Sequence, residues 1–195
     1  MITCDEDYRR GYRNKVEFSI GFPHGSDTIV VGFQKGVMNR GIFFIDNSID
    51  DIPNISDEDK LVAKSFEAFI QEFSGKHSLA PFNIRDKSGF WRLLLVKHSL
   101  KTNELLISVV VSAGSDDTIL SSLRTELVTS YPEGKEFNHL KLVSLSILAS
   151  ASQNGGYDYS DSVEHLYERT TYEERLDVFE GHPGSRFMVS PLAFF

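Results

Sequence analysis

Four basic side chains and two tyrosines stand together near the start of the chain, in Tyr8-Arg9-Arg10-Gly11-Tyr12-Arg13-Asn14-Lys15, with no acid among them. Guanidinium and ammonium groups interleaved with aromatic rings suit phosphate contact and base stacking, because the cations hold backbone charge and the rings offer flat faces. A solvated basic lead into a strand has the same composition. Acidic charge lies elsewhere, in 46–59, at Asp116-Asp117 and in 158–180, so a chain of formal net charge −8 still has room for a basic patch on an acidic body. Taken alone, that net charge opposes a nucleic-acid partner, since neutralising phosphates requires clustered Lys and Arg.

Other chemistry is sparse. The six histidines, His24, His77, His98, His139, His165 and His182, include no pair at ligand spacing on an expected helix, and each reads as a surface or loop residue. The single cysteine, Cys4, excludes an internal disulfide, a multi-cysteine zinc site and a self-contained iron–sulfur cluster, so neither metal nor cluster is expected. Gly36 and Gly41 have the spacing of a phosphate loop but lack the Lys-Ser/Thr that would come next, and no Gly-x-Ser-x-Gly elbow is present. Gly181-His182-Pro183-Gly184 has the bare Gly-x-x-Gly pattern of an RNA-clamping loop, but it joins strand-like segments rather than helices and reads as a turn.

Periodicity supplies the scaffold on which the basic segment sits. Segments 15–20 and 28–34 flank a Gly- and Pro-punctuated loop and read as a hairpin, and 41–46 reads as a further strand. Ser56 is placed to cap a helix, with Asp57, Glu58 and Asp59 at its positive end; Val62, Phe66, Phe69, Ile70 and Phe73 make one apolar face, and Gly75 ends it. A surface connection spans 74–89. Two strands, 91–98 and 104–112, join at Lys101-Thr102-Asn103, the second nearly continuous in Leu, Ile and Val as a strand covered on both faces would be. Ser115 is placed to cap a second helix carrying Ile119, Leu120, Leu123, Leu127 and Val128; Pro132 and Gly134 mark its exit, and 140–149 is a strand. Segments 163–168, 175–180 and 185–189 are β-rich.

From 41 to 149 the order is strand, helix, strand, strand, helix, strand. This predicts an α+β fold with a ferredoxin-like split βαβ layer: a mostly antiparallel sheet with two helices on one face, extended by an N-terminal hairpin and C-terminal strands. A short N-terminal arm, 1–11, precedes one domain over 12–195. Composition is that of a globular protein, 41% hydrophobic and 25% charged, with no run near the roughly 18 apolar residues of a spanning helix and no basic, apolar leader. The expected setting is intracellular, with no membrane partner. The apolar finish Ser190-Pro191-Leu192-Ala193-Phe194-Phe195 suggests a cut from a longer protein.

Tyr12-Arg13-Asn14-Lys15-Val16-Glu17-Phe18-Ser19-Ile20-Gly21, followed by Val31-Gly32-Phe33, resembles the entry to the central domain of the S-adenosylmethionine-dependent RNA uracil-C5 methyltransferases. The order continues: 45–53 looks like the strand leading into that family's first helix, and Gly89-Phe90-Trp91-Arg92 looks like the start of its next strand. His165-Leu166-Tyr167-Glu168 and Ser190-Pro191-Leu192-Ala193-Phe194-Phe195 are similar to the approach to its methyltransferase domain, where the family continues with Gln-x-Asn. The resemblance is closest to the eukaryotic tRNA-type branch, and the stretch 177–186 is longer than in the family.

What the resemblance implies is a parent enzyme forming 5-methyluridine in tRNA. A cysteine thiolate adds to C6 of a flipped-out uracil, C5 takes the methyl group of S-adenosylmethionine, and a general base removes the C5 proton. In the family the nucleophile, base and cofactor domain all lie beyond Gln-x-Asn, so no catalytic residue falls in this chain and the piece alone is expected to be inactive. Its expected partners are tRNA, through the T-arm, and the missing methyltransferase domain. On the matched motifs, Arg13 and Lys15 are candidates for phosphate contact or for pairing with acids on the sheet. Phe194 is a candidate for packing against a flipped base or for anchoring the missing domain. Arg9, Arg10 and Tyr12 are further RNA-binding candidates, and Glu17 is expected to orient a neighbouring basic side chain. The competing expectation is a non-catalytic protein-interaction module on the same layer.

Overall fold

Alternating apolar positions along 15–21, 91–99, 104–112 and 140–150 bury one side of each strand under two helices, and this arrangement builds the molecule. The computed structural model describes residues 10–37, 42–176 and 184–193. Its strands are β1 (Lys15–Gly21), β2 (Val30–Val37), β3 (Ile42–Asp46), β4 (Trp91–Ser99), β5 (Glu104–Ser112), β6 (Glu136–Phe137), β7 (Leu140–Ser150), β8 (Ser162–His165), β9 (Tyr172–Leu176) and β10 (Ser185–Val189). The helices are α1 (Asp57–His77), between β3 and β4, and α2 (Asp117–Ser130), between β5 and β6.

One sheet runs β3-β2-β1-β4-β5-β7-β6, with β8 also on β7; β9 and β10 form a separate antiparallel pair. Among the described strands all neighbours are antiparallel except β5 and β7, which α2 connects as a parallel crossover. The α+β class and the N-terminal hairpin therefore agree with expectation. The strand order does not follow the ferredoxin-like plan. β3, expected as the first strand of that layer, instead pairs with β2 from Phe33↔Asp46 to Val37↔Ile42, at the sheet's far edge. Short connections favour pairing between sequence neighbours, so β1, β2 and β3 form a meander, and a string of elements does not reveal which strands lie side by side. Gly32 permits the close approach: a Cβ there would lie 2.1 Å from the Asp46 carbonyl oxygen.

Both helices cover one face. Val62, Phe66, Ile70 and Phe73 of α1 and Leu123 and Leu127 of α2 are fully buried against Val16, Phe18, Leu94, Val96, Ile107 and Leu145 of the sheet. Phe66 stacks on Tyr131, just past α2, with ring centroids 4.2 Å apart, and Lys76 of α1 pairs with Glu126 of α2. Ser56 caps α1 as expected, its Oγ accepting from the Asp59 amide at 3.0 Å. The helix continues past Gly75 and ends at Ser78 in a left-handed conformation (φ 54°), because His77 still packs on Phe73. α2 is capped by Asp116 rather than Ser115: the Asp116 carboxylate accepts from the Thr118 amide at 2.7 Å, whereas the Ser115 hydroxyl donates back to the Ser112 carbonyl.

The opposite face carries a smaller cluster, Leu106, Val143, Tyr172 and Val189, on which Ala193 packs. The β9–β10 pair therefore roofs β4, β5 and β7 from the side away from the helices. Ser99 Oγ donates to Glu174 (2.9 Å), and the Glu173 amide donates to Glu104 (2.6 Å).

Truncating the most central aromatic tests this layering. Phe66→Ala removes a fully buried ring and its stacking partner's support, and should lower stability by about 3–5 kcal/mol. Urea denaturation is expected to show the midpoint falling with little change in slope.

Candidate nucleic-acid interface

The basic lead is fixed by its main chain, which leaves its side chains outward. The Gly11 amide donates to Pro53 O (2.8 Å), the Arg13 amide to Asn54 O (3.2 Å), and the His98 amide to Asn14 O (3.0 Å). Gly11 has φ 58°, a left-handed backbone that favours glycine, and it rests against Ser56. Arg10, Tyr12 and Arg13 are exposed, Tyr12 by 65%. Among the described residues Arg13 forms no ion pair, which leaves its guanidinium available to an anion. Arg9 and Phe194 lie outside the described residues.

Lys15 is held differently. Its ammonium pairs with Glu17 at 3.0 Å, and Glu17 also accepts from the Tyr157 hydroxyl at 2.8 Å. Glu17 thus orients a neighbouring basic side chain, as expected, and pairing with an acid on the sheet is the arrangement found for Lys15. Burial, then the bond to Glu17, pushes the Tyr157 phenol well above its ordinary value, so it stays a donor.

The two motifs that carry the family resemblance meet on this face. Lys15 is the register partner of Lys97 on β4, which puts both side chains on one side of the sheet. Lys97 is fully buried, and its ammonium donates to the carbonyl oxygens of Ser190 (3.0 Å) and Ala193. Residues 12–17 and 190–193 are far apart in sequence and converge around this one side chain. Burial, then the nearby Lys15 charge, pulls Lys97 down to about 8 against a partial counter-effect from Glu17.

Sequence reasoning missed Lys97, and also two other buried polar arrangements. His98 is not a surface residue: it is 1% exposed, and its Nδ1 lies 3.0 Å from Asp59 Oδ1, tying the first turn of α1 to β4. Among the described residues Asp59 Oδ2 and His98 Nε2 have no hydrogen-bond partner, and the bond between Nδ1 and Oδ1 anchors the helix to the strand. Arg92 sits on the face opposite the helices, its guanidinium 3.8 Å from the Phe82 ring centroid and donating to Ser112 Oγ (3.1 Å) and Ser152 O (2.7 Å). It borders a cavity of about 610 Å³ that Phe22, Phe43, Ile84 and Arg85 also line. Among the described residues no group of three or more His, Cys, Asp and Glu side chains is placed to hold a metal ion. No described helix is long and apolar enough to cross a membrane.

Comparison with known proteins adds two likenesses. No family model matches the chain. A curated protein of Arabidopsis thaliana, "Zinc finger CCCH domain-containing protein 24", is 26% identical over 220 residues, covering 95% of this chain and 26% of its own length. Cys4 alone cannot form a three-cysteine finger, so the likeness is not one of zinc fingers within this chain. The crystal structure of the Pyrococcus abyssi tRNA (uracil-54, C5)-methyltransferase in complex with S-adenosyl-L-homocysteine superposes with a TM-score of 0.59 at 20% identity. That match covers 96% of this chain and 37% of the solved one. The chain therefore has the fold of a part of that enzyme, and spans about a quarter of the plant relative and just over a third of the archaeal one.

The position of Lys97 predicts a pH dependence. Its folded-state value near 8 lies below the ordinary 10.5, so the unfolded chain binds this proton more tightly. Its contribution to stability is then lowest below pH 8 and rises between pH 8 and 10.5. Urea unfolding across that window should show the wild type gaining on Lys97→Met by on the order of 2 kcal/mol.

Proposed function

We propose that this chain is the RNA-facing central domain of an S-adenosylmethionine-dependent tRNA uracil-5-methyltransferase of the eukaryotic type. It positions the T-arm for a methyltransferase domain supplied by the parent protein. The convergence of residues 12–17 with residues 190–193 on the face away from the helices carries this reading. The two stretches resemble the family's entry into this domain and its exit toward the base-reading segment, and their meeting is what a substrate-side surface requires. The fold shared with part of the Pyrococcus abyssi enzyme supports the same reading.

Within it, Arg13 contacts RNA phosphate, with Arg10 and Tyr12 beside it on the exposed lead; Arg9 and Phe194, outside the described residues, are further candidates for the same contact. Lys15 exchanges its Glu17 partner for phosphate or shares it. Chemistry belongs to the parent: the thiolate, the base and the cofactor lie outside this chain, which alone transfers no methyl group. Leu176 and Phe187, exposed on one face of the β9–β10 pair, are apolar surface suited to the parent's methyltransferase domain.

Titrating a labelled T-arm hairpin at low salt tests the contacts. The Arg13→Ala, Lys15→Ala double variant should bind about tenfold more weakly, with a salt dependence shallower by about one to two phosphate contacts. Equal affinity and equal slope would remove both residues from the interface.

A further inference from the structure

Among the described residues the Ser190–Ala193 turn is a local structure with one long-range polar support. The Ala193 amide closes it on Ser190 O at 3.2 Å, and the carbonyl oxygens of these two residues are the ones that accept from Lys97 Nζ. Lys97 comes from the middle of the sheet, is completely buried, and forms no ion pair among the described residues. A buried ammonium that spends its N–H groups on two main-chain carbonyls fixes backbone direction, because moving either carbonyl leaves a desolvated charge short of a partner. The β9–β10 pair before the turn does not depend on it: Tyr172 and Val189 are buried, and Ser99, Thr102 and Glu104 bond its main chain or its Glu174.

We infer that Lys97 is a positioning residue whose ammonium holds the Ser190–Ala193 turn against the sheet face that bears Lys15, so that this turn is part of the RNA-facing surface. The part of this inference that concerns RNA rests on the reading of the chain as an RNA-facing domain; the clamp itself does not. Among the described residues the charged groups that act on the ammonium are Lys15 and Glu17 on β1, with Tyr157 bonded to Glu17; on the roof, Glu174 of β9 is bonded to Ser99, two residues along β4 from Lys97. A clamp of this kind reports its own protonation at the oxygens it holds, which a residue that merely fills space does not.

Carbonyl ¹³C shifts of Ser190 and Ala193, followed from about pH 6 to about pH 10, should titrate together with a midpoint near 8 in the wild type. The titration should vanish in Lys97→Met. It should return when Lys97→Cys, made with Cys4→Ser, is aminoethylated in denaturant and refolded, which restores a side chain ending in an ammonium. In Lys97→Met the Ala193 amide should exchange about tenfold faster or more while the amides of β5 and α1 keep their protection. Flat carbonyl shifts in the wild type would overturn the clamp, as would a loss of protection spread evenly over β4, β5 and the turn. The wild-type titration decides the matter even if the variant does not fold. With the T-arm hairpin, weaker binding by Lys97→Met supports the positioning role and equal binding overturns it. A wild type that binds no hairpin sinks the functional reading, while the carbonyl titration still decides the clamp.

Discussion

Lys97 places a charge where charge is costly. An ammonium taken out of water without a carboxylate beside it is penalised by several kcal/mol, offset only by well-made hydrogen bonds. Here those bonds run to two carbonyls at the end of the described chain, on the same face as Lys15. The rest of the molecule makes this possible. β4 has to lie in the middle of the sheet for Lys97 to be buried, and the β9–β10 pair has to roof that face for the turn to come within reach.

The two faces of the sheet therefore divide the work. The helix side is an apolar interior in which Phe66, Phe73, Tyr131 and Trp91 interlock, and its few buried polar groups tie α1 to β4: Trp91 Nε1 donates to Ser74 Oγ at 2.7 Å, and His98 meets Asp59. The other side is mixed: Lys15, Glu17, Arg92, Lys97, Ser108 and Ser146 belong to it beside the apolar cluster of Leu106, Val143, Tyr172 and Val189, and several of the polar groups meet loops rather than helices or strands. Loops of that kind, on a rigid sheet, are where binding surfaces are usually built.

Much of this was legible in residue patterns. The 3.6-residue spacing of Val62, Phe66, Ile70 and Phe73 after a serine cap fixes α1, and the apolar run of β5 marks a strand covered on both sides. Strand adjacency was not legible, because β3 reads as a strand whether it pairs with β2 or lies beside β5, and only the packed sheet decides. His98 and Asp59 were missed for a related reason: each looks like a surface residue in its own element, and their contact spans 39 positions. Lys97 did leave a signal. It directly follows the apolar run Leu93-Leu94-Leu95-Val96 within one strand, and a charged residue there has to be either a bulge to solvent or a buried contact with a partner. Of the candidate interface, the exposure of Arg13 and the role of Glu17 agree with the residue pattern, while the joining of the two matched motifs required three dimensions.

In the proposed function the face bearing residues 10–17 and the turn at 190–193 is the one that meets RNA. The decisive experiment is photocrosslinking: a T-arm hairpin carrying 4-thiouridine at the target uridine, irradiated in complex with the chain and mapped by peptide sequencing. Crosslinks are expected in the peptides that contain Arg10 to Glu17 and in those from Ser190 onward. Crosslinks confined to the outer surfaces of α1 and α2, or none at a saturating concentration of RNA, would contradict it.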